Sequence, residues 1–156
     1  MAPWHHLVSA DELIRALGAG KVRVIDARFE LSDPAYGKAA YAKGFVPGAV
    51  HLDLNEDLSS PVQRHGGRHP LPDMEALVAK LGALGIGDEH EVVVYDDDGG
   101  MYAARALWLL RYTGKDDVRM LDGGMAAYLA AGGELTTEAP APPPTTLTLR
   151  LRPDMV

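Results

Sequence analysis

The 156-residue chain contains no cysteine. That absence excludes disulfides, thiolate metal ligands and any thiol nucleophile. No segment approaches the roughly 18 consecutive apolar residues that cross a bilayer as a helix. The amino-terminal stretch MAPWHHLVSADELIRAL lacks the basic-then-apolar order of a secretory signal. Basic side chains are in deficit: 15 Lys and Arg against 22 Asp and Glu leave a formal charge of −7. Nucleic-acid binders carry a basic stripe, so this balance argues against one. There is no internal repeat. The expectation is a cytoplasmic protein without membrane or nucleic-acid partners.

What is present is a 47% hydrophobic and 24% charged chain, the profile of a soluble globular protein. Its length allows one domain with a real core. Ser9-Ala10-Asp11-Glu12 reads as a capping box, followed by Leu13, Ile14 and Leu17 at helical spacing. Val22 to Asp26 reads as a buried strand, Asp33-Pro34 as a helix start, and Val50 to Leu54 as a second strand. Residues 55–72 form a long polar loop, of a length that is usually functional or interfacial. Asp73 caps a third helix. Glu91 to Tyr95 is the clearest strand, and Met101 to Tyr112 a strong helix whose Leu107, Trp108 and Leu110 read as core. Val118 to Leu121 and a short helix ending at Gly132 complete the pattern. Short apolar strands alternating with helices predict an α/β domain with a mainly parallel sheet covered on both faces. Glu138 to Pro144 is rich in proline and alanine, as in an extended linker, and Leu147 to Leu151 alternates like a further strand. The expected organisation is a domain over 1–135 and a linker with the start of a following segment over 136–156, as if the chain were part of a longer protein.

The segment VVVYDDDGGMYAARALWLLR, residues 92–111, carries the functional signal. A strand feeding a glycine-bearing loop and then a helix is where α/β proteins place ligands. Helix amides there favour an anion, but Asp96, Asp97 and Asp98 oppose one by several kcal/mol at an effective dielectric of about 20. The carboxylates can themselves take the helix-dipole position. Taken alone, Asp96-x-Asp98-Gly99 resembles the first motif of haloacid-dehalogenase-like phosphatases, with Asp96 as nucleophile, Asp98 as acid/base and magnesium. Gly100 departs from that motif, and Lys115-Asp116-Asp117 stands in for its later lysine and acidic pair only 17 residues on from Asp98. No histidine array has ligand spacing, so no metal and no cofactor are expected; His65 and His69 read as exposed or interfacial.

The whole pattern resembles the rhodanese family. Val24-Ile25-Asp26-Ala27-Arg28 opens the sheet. Tyr41 to Asp53, containing Gly44-Phe45-Val46-Pro47-Gly48-Ala49, is similar to a tyrosine-glycine-histidine-isoleucine-proline-glycine-alanine stretch of that family. Val92 to Arg111, Met120-Leu121-Asp122-Gly123-Gly124, Tyr128 and Gly132 follow in order. The resemblance spans residues 8 to about 135 and implies a three-layer fold with a central, mainly parallel five-stranded sheet. Active members carry a cysteine at the first position of the loop after the fourth long strand, and its persulfide carries sulfur from thiosulfate or 3-mercaptopyruvate to an acceptor thiol or cyanide. The matching position here is Asp96 or Asp97, and a carboxylate forms no persulfide.

The resemblance therefore implies a degenerate loop (Asp96, Asp97, Asp98, Gly99, Gly100) in the cysteine-free amino-terminal domain of a tandem sulfurtransferase, inactive alone. Its partner would be the catalytic carboxy-terminal rhodanese domain of the same polypeptide. Arg68, His69 and Arg105 are the interface candidates, with Arg105 also placed to pair with the aspartates. Phe45 stands where the family usually has histidine, which bears on turn packing. The alternative from a different class is a free-standing rhodanese-like module whose acidic loop binds a basic partner protein.

Overall fold

Val92 and Val94 turn to one side of their strand while Val93 and Tyr95 turn to the other, and all four are buried. Such a strand must be covered on both faces. A computed structural model of the chain describes residues 7–19, 22–30, 32–54, 57, 72–140 and 142–151. Its elements run β1 (Leu7–Val8), α1 (Ala10–Ala19), β2 (Val22–Asp26), α2 (Tyr36–Lys43), β3 (Ala49–His51), α3 (Met74–Ala83), β4 (Glu91–Tyr95), α4 (Met101–Tyr112), β5 (Val118–Leu121) and α5 (Gly124–Ala130). The five strands are all parallel, in the order β1-β5-β4-β2-β3. Helices α3 and α4 cover one face through Leu77, Leu81, Ala106, Leu109 and Leu110. Helices α1 and α5, with Tyr41 of α2, cover the other around Leu13, Met125 and Tyr128. The three-layer α/β architecture agrees with the sequence reading.

Local chemistry sets the helix starts. Ser9 Oγ accepts from the Glu12 amide at 3.1 Å, and the Glu12 carboxylate reaches back to the Ser9 amide. Asp73 accepts from the amides of Glu75 and Ala76. Substituting a cap of this kind by alanine costs about 1 kcal/mol.

Some expectations are corrected. The Asp33-Pro34 stretch is a turn, and α2 begins only at Tyr36. The second strand is Ala49–His51, not Val50 to Leu54, although Leu52 and Leu54 are still buried. The fifth strand is β1, which pairs in parallel with β5 at the sheet edge. The alternating Leu147 to Leu151 forms no strand. Residues 142–151 instead strap the base of the domain: Thr145 donates to the Gly82 carbonyl at 2.8 Å, Arg150 to that of Thr113 at 2.7 Å, and Leu147 enters the core. Most of the polar loop read at 55–72, with His65, Arg68 and His69, lies outside the described residues.

Candidate functional site

Strand β4 ends at Tyr95, so Asp96 is the first loop residue after it. Gly99 and Gly100 adopt φ of 71° and 93°, left-handed values that let the loop fold back under α4. Gly100 is the cap residue of α4 and has no side chain to offer its free amides. Asp96 supplies the missing acceptor from four residues earlier. Its Oδ2 accepts from the amides of Tyr102 at 2.9 Å and Ala103 at 2.8 Å, and its Oδ1 from those of Asp98 at 3.1 Å and Gly100 at 3.0 Å. The Asp96 carbonyl also accepts from Met125 at the start of α5. A Cβ on Gly124 would stand 2.6 Å from that carbonyl oxygen, so glycine is required there. The side chain is 1% exposed. The anion-binding end of the helix is thus occupied by the chain's own carboxylate.

The neighbouring aspartates behave differently. Asp97 accepts a hydrogen bond from the Tyr36 hydroxyl, which raises that phenol's pKa. Asp98, Gly99 and Asp122 are exposed. Beside the loop, at the carboxyl ends of β4 and β5, lies a cleft of about 560 Å3 whose lining includes Leu7, Asp97, Met120, Asp122, Met125 and Leu129.

Groups other than Arg105 engage Asp96 and Asp97. Backbone amides take the Asp96 carboxylate and Tyr36 takes Asp97. Burial lowers the Arg105 pKa, and the side chain is half-buried on α4, one turn beyond the loop. Arg68 and His69 lie outside the described residues. The phosphatase reading fails on geometry. Asp96 has both oxygens engaged and buried, leaving none to attack phosphorus. Lys115 and Asp117 sit at the opposite end of the sheet, where Lys115 donates to the Gly87 carbonyl at 3.0 Å and pairs with Asp117 at 2.9 Å. The length of β4 separates the two ends, about 16 Å for five residues.

Behind the loop is a polar network that the motifs hinted at only through Asp26 and Arg28. Arg28 Nη2 meets Asp26 Oδ2 at 2.7 Å and donates to the Gly44 carbonyl at 2.7 Å; the Tyr95 hydroxyl donates to the same Asp26 oxygen at 2.6 Å and accepts from the Val46 amide. All three side chains are buried. Burial opposes the Arg28 charge, but the Asp26 carboxylate holds its pKa above the ordinary value. Burial, then Asp26, pushes the Tyr95 phenol far up. The network ties the end of β4 to the turn before β3, so the Asp96 loop grows from a fixed base. In that turn Phe45 is 2% exposed and stacks on Tyr41 with ring centroids 4.0 Å apart, a packing role.

The rhodanese-like domain family matches residues 9–131. A Pseudomonas aeruginosa protein named as a probable 3-mercaptopyruvate sulfurtransferase is 48% identical over 132 residues, covering 83% of this chain and 46% of that protein. The thiosulfate sulfurtransferase of Bos taurus is 35% identical over 146 residues, 88% of this chain and 48% of its own length. The solved 3-mercaptopyruvate sulfurtransferase of Leishmania major is similar at a TM-score of 0.84 and 30% identity, over 97% of this chain and 43% of that one. The chain spans about half the length of the curated relatives it matches.

Proposed function

The chain belongs to the rhodanese-like domain family, and from that premise we propose that it is the non-catalytic, amino-terminal type of domain of a thiosulfate or 3-mercaptopyruvate sulfurtransferase. In this reading it packs against a cysteine-bearing second domain and walls one side of that domain's active-site cleft. The observation that carries it is Asp96. It stands first in the loop after β4, where active members hold the cysteine, and its two oxygens are engaged by backbone amides. Sulfane transfer needs a nucleophile that bonds to the donor's outer sulfur as the donor's remainder leaves with the old bonding pair, and that itself leaves as a thiolate when the acceptor takes that sulfur. A carboxylate has no sulfur to bear the persulfide, and this one is not accessible. The loop has kept the shape of an anion cradle and filled it from within.

Two further observations support the pairing. The relatives named as sulfurtransferases extend for about as many residues again as this chain covers. Arg105 and Trp108 leave a half-buried surface on α4, of the polar-rimmed kind common between domains. Arg68 and His69 belong to this proposed interface. The proposed setting is the cytoplasm, as the sequence suggested; among the described residues no helix is long and apolar enough to cross a membrane.

The test is titration of the purified chain into a separately expressed, cysteine-bearing second domain of a tandem relative. Saturable binding that raises the second domain's sulfur-transfer rate supports the reading. Absence of binding at concentrations of about 100 μM, well above that expected for a transient interface, argues against it.

A further inference from the structure

The cleft beside the Asp96 loop combines an apolar lining with an acidic rim. Leu7 and Leu129 are 40% and 47% exposed, and they line it together with Met120 and Met125. Asp97 and Asp122 line it, the exposed Asp98 lies in the chain between the lining residues Asp97 and Gly99, and no lysine or arginine is among the described lining residues. Among the described residues, the carboxylates of Asp98 and Asp122 have neither an ion-pair nor a hydrogen-bond partner. Its volume, about 560 Å3, holds a few side chains and not a domain face. The cleft also opens at β1, which is an edge of the sheet, the place where an extended segment can lie alongside a strand.

We propose that this cleft docks an extended segment of a separate protein, one that places an apolar side chain against Leu7, Met120 and Leu129 and a neighbouring lysine or arginine against Asp98 and Asp122. Charge complementarity selects the occupant. An acidic or neutral apolar segment would leave the rim carboxylates facing like charge or losing water without a partner, which is unfavourable. The site stands on the cleft alone and does not depend on whether a second domain packs elsewhere on the molecule.

The experiment uses the isotopically labelled chain and two capped synthetic peptides, GLKLRG and GLELEG. For GLKLRG the amides of Leu7, Gly99, Gly123 and Leu129 should shift saturably. Its affinity should fall about fivefold between 50 and 500 mM salt, as expected when exposed charges are screened. Asp98→Asn with Asp122→Asn should weaken binding by a similar factor, and Leu129→Glu should abolish the contribution of the apolar anchor. GLELEG should leave the spectrum unchanged. The proposal is overturned if GLKLRG gives no saturable shifts, if they map to another surface, or if GLELEG binds equally well. Because the measurement uses this chain without a second domain, it can fail while the sulfurtransferase reading stands, and the reverse.

Discussion

The amide of Ala103 donates to Oδ2 of Asp96 across 2.8 Å, from the first turn of α4 back to the residue that leaves β4. With the amides of Asp98, Gly100 and Tyr102 on the same carboxylate, this contact explains why the residue cannot act as an external nucleophile. The carboxylate is both the cap of the helix and the occupant of its anion site.

Removing that acceptor should be costly. Asp96→Ala leaves the amides of Asp98, Gly100, Tyr102 and Ala103 without their partner, and hydrogen bonds to charged groups are worth about 1.5–3 kcal/mol each in buried settings, less after relaxation and water entry. The expected loss is about 3 kcal/mol in chemical denaturation. Asp96→Asn, which keeps one oxygen acceptor, should lose about half as much. A loss below about 0.5 kcal/mol for the alanine variant would mean that the amides find other partners.

The cradle should also act on a thiol. Asp96→Cys puts sulfur at the start of α4 with amide donors directed at the position, and both features favour a thiolate. Its alkylation by iodoacetamide should show a midpoint below the ordinary cysteine value of about 8.5. A midpoint above that value would show burial outweighing the helix end.

Arg28 and Tyr95 test the base of the loop. Arg28→Ala strands the Asp26 carboxylate in a buried site, which costs about 3–5 kcal/mol for broken buried pairs. Tyr95→Phe removes one hydrogen bond to the same oxygen, while Arg28 still neutralises the charge, so about 1–2 kcal/mol is expected. Equal losses in thermal or denaturant unfolding would contradict this ordering.

Much of this was legible in advance. The three valines of β4 and the spacing of Leu107 and Leu110 gave strand and helix boundaries that match the structure, because local periodicity alone specifies them. Leu7–Val8 escaped notice since a two-residue strand has no period, and only its pairing with Met120 and Leu121 makes it one. The strap at 142–151 escaped for a related reason: proline-rich composition looks like a linker, whereas Leu147 is held by contacts to residues distant in the chain. The motif leaves the degenerate position at Asp96 or Asp97; that Asp96 follows β4 directly and holds the α4 amides rests on contacts six and seven residues along the chain, which no motif displays. Tyr95 could not be linked to Asp26 from the sequence, being 69 residues away.

The strap should loosen in acid. Asp88 accepts from the Thr148 amide at 2.9 Å and its hydroxyl at 2.6 Å, and these bonds hold its pKa below the ordinary carboxylate value. A depressed folded pKa means the contribution is present above the unfolded value, about 3.9, and is lost as pH falls through the folded one. Hydrogen-exchange protection around Thr148 should therefore drop below about pH 4, and Asp88→Asn should remove that pH dependence. Unchanged protection down to pH 2 would show that Leu147 and the backbone bonds hold the strap alone.

The most direct measurement is sulfur transfer by the purified chain with thiosulfate and cyanide, in which sulfite leaves as thiocyanate forms. The account predicts thiocyanate formation no faster than the uncatalysed background, and the same for Asp96→Ala. Production that rises with protein concentration and saturates with thiosulfate would contradict it, because a chain without cysteine would then be carrying the sulfur.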